Sequence, residues 1–410
     1  MRPLYTAAIR LYAAAVHAAA PFNGKARKMI DGRRSIDDVL REKIVPGARY
    51  VWLHAASLGE FEQGRPLLEA IRQCHPDYKI ILTFFSPSGY DVRRDYPGAD
   101  VVCYLPFDFP RRIRRFLDRV RPTLALFVKY EFWLNTLDEL WRRRVPTYLV
   151  SGIFRPGQLF FHPIGRPYRD ALRCFDHLFV QDETSRQLLA GIGLTNVTIT
   201  GDTRFDRVID IRHAARPLPV VAAFAERDAR PVLIAGSSWP EDEALLIPYF
   251  NAHPDLKLIL APHEIHEAHL AAIETRLTRP ALRLSRADAD TAADVDCLIV
   301  DSFGLLSSIY RYARIAYIGG GFGHGIHNAP EAAVYAVPVL FGPNHRKFRE
   351  ALDLIACGGA FSITDASTLT ARLDALLAAP DACTAAGESA GAYIQQHSGA
   401  TEQILRAIDL

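Results

Sequence analysis

From Tyr50 to Phe341 the chain alternates short apolar runs with stretches of helix length, and this rhythm restricts the possible folds more than any other feature. Ile80–Phe84, Val101–Tyr104, Leu124–Val128, Thr147–Val150, Leu178–Val180 and Val197–Thr200 read as strands, rich in β-branched and aromatic residues. Strands separated by helical segments predict a parallel sheet covered by helices. The pattern lapses between Ile211 and Pro231, where Pro217, Pro219 and Pro231 fall among Ala and Arg, and an interdomain linker is expected there. It restarts at Val232–Ala235 and continues through Leu256–Ala261, Cys297–Val300, Ile315–Ile318 and Val339–Phe341. A chain of 410 residues also exceeds the size at which one core stops growing. The reading is α/β: two Rossmann-like, doubly wound halves with a ligand cleft between their strand ends. Its expected divisions are an N-terminal segment (1–34), a first domain (35–212) and a second (213–410). Residues 285–294 (SRADADTAAD) are polar and read as a surface loop.

A net charge of +2 argues against a nucleic-acid binder, and no Cys/His cluster has zinc-site spacing. Cysteines at 74, 103, 174, 297, 357 and 383 are scattered, mostly among apolar neighbours, and read as reduced, buried thiols of a cytosolic environment.

The first 34 residues differ from the rest. Leu4 to Phe22 is rich in Ala, Leu, Ile, Val and Tyr, is interrupted by Arg10 and His17, and ends after Pro21. Arg2, Arg10, Lys25, Arg27, Lys28, Arg33 and Arg34 surround it, against a single acid, Asp31. Spanning a bilayer takes roughly 20 apolar residues, so a helix lying on the inner leaflet is expected, held by apolar burial and anionic lipid. The alternative is an amphipathic helix packed on its own domain. Arg111, Arg112, Arg114, Arg115, Arg119 and Arg121 crowd a later helix, either as a solvated face or as an extension of that basic surface.

Three stretches carry chemistry. In Tyr50–Glu60 (YVWLHAASLGE) a strand runs through Gly59 into a helix, leaving Glu60 at the turn. Glu60 is then either a first-turn carboxylate facing the helix dipole or a polar group presented at the sheet edge. Ala235-Gly-Ser-Ser238, followed by Glu241 to Glu243, resembles an anion cradle at a helix start. Tyr317–Glu331 holds Gly319, Gly320, Gly321, Gly323 and Gly325, which suggest close backbone approach to a ligand. Pro330 opens a helix there, and Asn328 and Glu331 are placed to hydrogen-bond a ribose or sugar. The spacing is not that of a dinucleotide fingerprint, and there is no Walker A lysine.

Ala56-Ser-Leu-Gly-Glu60, Tyr130-Glu-Phe-Trp-Leu-Asn135, Gly201-Asp-Thr-Arg-Phe-Asp206, Ala235-Gly-Ser-Ser238, Gly325-Ile-His-Asn-Ala-Pro-Glu331 and Pro338-Val-Leu-Phe-Gly-Pro343 follow one another as they do in 3-deoxy-D-manno-octulosonic acid (Kdo) transferases. The resemblance runs from the N-terminal helix to at least Phe348. It implies a GT-B glycosyltransferase that moves Kdo from CMP-Kdo to a lipid A precursor, lipid IVA, at the cytoplasmic face of the inner membrane. It also implies inversion at the anomeric centre, no donor-bound metal and no cofactor, with the acceptor on the first domain and the donor mainly on the second.

Carried over by position, Glu60 is the general base and Glu131 the second acid beside the acceptor. Ser237 and Ser238 match the donor-domain turn, Gly320 and Gly321 lie in the glycine loop, and Asn328 and Glu331 match the donor-binding pair. Pro262 and His263 match the nucleotide motif, Asp301 and Gly304 the start of a further donor motif. Three positions depart from the family: Lys129 replaces an acid, Leu305 replaces a glutamate, and the arginine expected before His263 is missing, so that His263 or His266 would stand in. A sugar-nucleotide epimerase of similar fold, binding a uridine nucleotide, and an inert scaffold are the competing readings. The basic apolar N-terminus speaks against the first and Glu60 in its motif against the second.

Overall fold

Both halves of the chain build a seven-stranded sheet in which every pair of neighbours runs parallel. The computed structural model describes residues 2–323, 325–408 and 410, the side chains of Arg2 and Pro167 aside. The first sheet comprises β1 (Arg49–Ala55), β2 (Tyr78–Phe84), β3 (Val101–Tyr104), β4 (Leu124–Val128), β5 (Thr147–Gly152), β6 (His177–Val180) and β7 (Val197–Ile199), in the order β3-β2-β1-β4-β5-β6-β7. The second comprises β8 (Val232–Ser238), β9 (Lys257–Pro262), β10 (Ala281–Arg283), β11 (Cys297–Ile299), β12 (Ile315–Ile318), β13 (Val339–Phe341) and β14 (Ala360–Ser362), in the order β10-β11-β9-β8-β12-β13-β14. The expected α/β class and all the expected strands are observed. β10 (Ala-Leu-Arg) and β14 (Ala-Phe-Ser) went unread because each is a three-residue edge strand without a β-branched side chain, whereas β7, equally short and at an edge, reads Val-Thr-Ile.

Period-two alternation sorts β1 between two cores. Tyr50 and Trp52 join one apolar cluster, while Val51, Leu53 and Ala55 join another with Phe61, Leu67, Leu68 and Ile71 of the Leu58–Cys74 helix. All of these side chains are essentially inaccessible, and burying each large one stabilises by about 1.5–3 kcal/mol. In each sheet the strand order reverses at a central pair, between β1 and β4 and between β8 and β12; in the second, β11 also returns to lie between β10 and β9. Ligands of doubly wound folds bind at the carboxyl ends of such strand pairs.

The chain divides into two compact units, residues 1–207 with 398–410, and residues 208–397. The division thus falls slightly before the expected 212/213 boundary, and the last residues, expected in the second domain, belong to the first unit. Gly399 and Thr401 N–H donate to the two carboxylate oxygens of Asp206, and Ile404 and Ile408 enter the first unit's core. The Pro/Ala/Arg-rich stretch is no open linker either: helices Arg204–Ala214 and Pro219–Glu226 occupy it, the second with Pro219 in its first turn. Residues 285–294 carry a short helix, Ala289–Ala293, capped by Asp288, which accepts Thr291 N–H at 2.8 Å.

The N-terminal segment is not separate from the first unit. Its Arg2–Ala19 helix is docked by the Tyr5 hydroxyl, which donates to Asp108 at 2.7 Å, and by Thr6, whose hydroxyl accepts from Asn135 at 3.2 Å. Ala13 is buried against Ile30 and Phe107. The rest of this helix presents apolar residues to solvent: Leu4 is 75% and Leu11 74% exposed, and Phe22 beyond it 93%. No described helix is long and apolar enough to cross a membrane. None of the six cysteines is in a disulfide; only Cys103, Cys297 and Cys383 are buried as expected, while Cys74 and Cys357 are exposed.

Candidate active site

In the first unit, the carboxyl ends of β1 and β4 bring together four side chains. β1 ends past His54, which is wholly buried, and Ser57 then caps the Leu58–Cys74 helix. Glu60, at the third helical position, accepts the Ser57 N–H at 2.8 Å and the Ser57 hydroxyl at 2.9 Å, as in a capping box. Both bonds fall on Oε2, which leaves Oε1 as the oxygen able to take a proton. Lys129 follows the last residue of β4, and its positive φ of 65° turns the chain so that Glu131 comes back over the sheet edge. Glu131 Oε2 lies 3.0 Å from His54 Nε2 and accepts the Trp133 indole N–H at 2.6 Å. His54 Nδ1 faces the hydroxyl (2.8 Å) and the carbonyl (3.1 Å) of Thr83 on β2. Burial first, and then the charge of Glu131, push the Glu60 carboxyl above the ordinary carboxylate range, against the lowering effect of Ser57 and His54. A half-buried carboxylate of raised basicity at a strand-order reversal is suited to accept a proton near neutral pH.

The 201–206 motif is structural support for this edge. Asp202 is buried, accepts Gln63 Nε2 at 2.8 Å and pairs with Arg204 at 2.9 Å. The Thr203 hydroxyl lies 3.0 Å from that of Ser151.

The second unit gathers its candidates where β8, β9 and β12 end. Ser237 has a left-handed φ of 53° at a break in the β8–β9 register. Ser238 is buried and its hydroxyl donates to Glu243 Oε1 at 2.9 Å. At the expected anion cradle one N–H is taken by the chain's own carboxylate. Asp242 accepts the Trp239 N–H at 2.9 Å, the Gly320 N–H at 2.8 Å and the Tyr317 hydroxyl at 2.7 Å. Burial, opposed by these three donors, raises its pKa. The loop glycines likewise meet protein before ligand. A Cβ on Gly319 would stand 2.2 Å from the Ser237 carbonyl oxygen, one on Gly321 2.5 Å from the Gly342 nitrogen, and Gly320 needs φ +89°.

What faces outward is a stack of rings and a polar pair. His263, after the buried Pro262 that ends β9, stacks over both Trp239 (4.6 Å) and His327 (4.5 Å), whose rings lie side by side with centroids 6.5 Å apart. The Trp239 indole N–H donates to His327 Nε2 at 3.1 Å. Burial first, then His263, lower the His327 pKa to about 4, so this ring is neutral. Next to it in sequence, the Asn328 amide donates to Glu331 Oε1 at 2.7 Å. His266 instead caps its own helix by accepting the His269 N–H, which makes His263 the histidine that joins the cluster. Asp301, beyond β11, accepts the Ser285 N–H at 2.9 Å and the Ser285 hydroxyl. Gly304 has φ +88° and open space around it.

His54, Trp133, Trp239, Asp242 and His327 were not singled out from sequence. For Asp242 a signal existed: an acid at the third helical position after a Pro-started helix is a capping-box mark. Among the described residues no group of three or more His, Cys, Asp or Glu is arranged to hold a metal ion.

Residues 30–207 match the family model described as 3-deoxy-D-manno-octulosonic-acid transferase (kdotransferase). The chain is 30% identical over 381 residues to a 3-deoxy-D-manno-octulosonic acid transferase of Bordetella pertussis, covering 89% of this chain and 88% of that protein. A protein of the same description from Aquifex aeolicus is 25% identical over 334 residues, covering 80% and 86%. In three dimensions, a UDP-GlcNAc 2-epimerase from Neisseria meningitidis superposes with a TM-score of 0.59 over 87% of this chain and 98% of that one, at 13% identity. That likeness is one of fold, of the GT-B-like kind.

Proposed function

Because the chain belongs to the 3-deoxy-D-manno-octulosonic acid (Kdo) transferases, glycosyltransferases of lipopolysaccharide biosynthesis, we propose that it transfers Kdo from CMP-Kdo to the lipid A precursor lipid IVA. The acceptor is held by the first unit and the donor by the second. Glu60 Oε1 takes the proton of the acceptor hydroxyl as that oxygen attacks the anomeric carbon of Kdo. The bond to the CMP phosphate breaks on the opposite side, which inverts the centre and releases CMP. Glu131, locked to His54 and Trp133, keeps Glu60 basic through its charge. Asn328 and Glu331 hold the donor, with His263 in the stack beside them in place of the arginine of the family motif. The reaction proceeds without a donor-bound metal. The observation that carries this reading is the raised carboxyl of Glu60 at the reversal point of a chain so similar to a Kdo transferase. Mass spectrometry of the product made from CMP-Kdo and lipid IVA tests it: an unmodified acceptor refutes it, and the mass gained counts the Kdo units. Titration with CMP against UDP tests the donor separately, and preference for UDP refutes CMP-Kdo.

The donor pair gives a first prediction. Asn328→Ala and Glu331→Ala are each expected to weaken CMP-Kdo use by about 1–3 kcal/mol, the cost of leaving a ligand polar group unmatched in the closed complex. Unchanged donor KM and turnover in both variants would move the nucleotide site elsewhere.

The N-terminal helix is proposed to lie on the cytoplasmic face of the inner membrane, docked to its unit through Tyr5 and Thr6, with Leu4, Leu11 and Phe22 in the lipid interface. Deleting residues 1–28 should shift protein from the membrane pellet to the supernatant, but it also removes the Tyr5–Asp108 bond. The triple change Leu4→Gln, Leu11→Gln, Phe22→Gln spares that bond. At about 1.5–3 kcal/mol per side chain fully transferred, it should weaken partition by roughly a thousandfold or more. Unaltered fractionation at low and high salt would leave the helix with a purely intramolecular role.

A further inference from the structure

Below the N-terminal helix, between the Gly24–Arg34 and Pro110–Val120 helices, lies a cavity of about 360 Å³ lined by Arg33, Arg34, Arg112 and Arg115 with one acid, Asp37. Asp37 pairs with Arg115 at 2.9 Å, and Arg34 pairs with Asp31 at 3.2 Å. Arg33 is different: it is 9% exposed and makes no ion pair among the described residues. Its terminal nitrogens donate only to the carbonyls of Met29 (3.1 Å) and Phe85 (2.9 Å), and its Nε is buried without a partner. Three rings, Phe85, Tyr104 and Phe107, surround the guanidinium at 4.7, 5.0 and 4.5 Å. Burial, with Arg112 adding to it, lowers the Arg33 pKa to about 10, so it remains a cation at neutral pH. A buried cation lacking an anion is costly, and ring faces compensate only part of the lost hydration. Placing a second arginine near it adds to that cost, unless an anion occupies the space between them.

We propose that this cavity is a phosphate site, with Arg33 as its buried ligand and Arg112 and Arg115 closing on it from the neighbouring helix. Guanidinium forks converging from two helices suit a tetrahedral dianion better than a planar carboxylate. The site shares a wall with the acceptor edge. The Phe85 ring that packs on Arg33 also stacks on Trp133 at 4.6 Å, and Trp133 donates to Glu131. The phosphate is therefore assigned to the acceptor's phosphorylated sugar, the one point that rests on the proposed function.

The test uses the full chain in two arms. In the first, inorganic phosphate is titrated calorimetrically at constant ionic strength. Saturable binding is expected, weakened about tenfold or more by Arg112→Gln/Arg115→Gln and unchanged by Arg111→Gln/Arg119→Gln, which removes the same charge from the same helix outside the cavity. Because Arg33 is buried, the outer pair carries the test, and Arg33→Lys, which keeps the charge but loses the fork, serves as a second variant. Absent binding, or equal weakening in the control, overturns the site. In the second arm, KM is compared for acceptors with and without phosphate. The wild-type chain is expected to prefer the phosphorylated form about tenfold, and the outer-pair variant to lose that preference with kcat retained. If phosphate binds as expected but the acceptors are used equally, the assignment to the acceptor is overturned, and weaker binding of the variant to phosphatidylglycerol vesicles marks a lipid headgroup as the source. If neither acceptor is used, the proposed acceptor falls while the titration still decides the site.

Discussion

Changing Glu60 to Gln should lower single-turnover transfer by roughly 10²–10⁴-fold, the usual worth of a positioned base. Gln keeps the side-chain oxygen that accepts the Ser57 N–H, so the capping box survives and stability should move by less than about 1 kcal/mol. CMP binding, assigned to the second unit, should be unaffected. The pH profile adds a signed test. The Glu60 pKa is raised, chiefly by burial and then by Glu131, so the carboxylate is lost at higher pH than for an ordinary glutamate. Wild-type rates should therefore fall as pH drops through a limb above the usual carboxylate range. That limb should be missing in the Gln variant. Glu131→Gln removes one of the raising charges and should move the limb to lower pH. A folded Glu60→Gln protein that turns over at near wild-type rate, with the limb in place, would leave Glu60 only its capping role.

The second large effect is expected at Asp242, a side chain that touches no substrate in the proposed mechanism. Its two oxygens collect two backbone N–H groups and one hydroxyl, those of Gly320 and Tyr317 fully buried with it. Asn is too mild a change, because its oxygen can take both N–H groups while the Tyr317 hydroxyl turns to accept from its amide. Ala removes every acceptor, and with buried donors orphaned at about 1–3 kcal/mol each, Asp242→Ala should cost the second unit about 3 kcal/mol. The Gly320 amide should lose its protection against hydrogen exchange, and CMP affinity should fall because the loop leading to Asn328 is no longer pinned. Denaturant titration and exchange measurements read both effects. Unchanged stability with a protected Gly320 amide would mean that the loop is held by its other bonds, such as Gly319 N–H to Gly236 at 2.9 Å.

Sequence alone located the two reversal points well and their internal wiring poorly. Strands such as Val101–Tyr104 and Leu124–Val128 are legible to the residue because both sheet faces are buried, which turns a strand into an uninterrupted apolar run. Glu60 and Glu131 were legible through their motifs. Their neighbour His54 was not, since a histidine closing an apolar run says nothing of a partner 77 residues away. The glycines of 319–321 were read as room for a ligand, whereas Gly319 and Gly321 yield to the backbones of Ser237 and Gly342. A small residue records that something comes close without recording what. The tail was misplaced for a similar reason: an amphipathic helix such as Ala400–Ala407 fits either unit by pattern, and only the carboxylate of Asp206 settles which.

That returning tail imposes an order on biosynthesis. A ribosome makes residues 208–397 before it makes Ile404 and Ile408, and those two side chains belong to the core beside β1 and the helix that bears Glu60. The half of the enzyme made first is thus completed only by residues made after the whole of the second unit. Until release the nascent first unit carries an uncovered apolar seam, the kind of surface that chaperones hold. A stop codon that removed only a dozen or so terminal residues would leave that seam open for good.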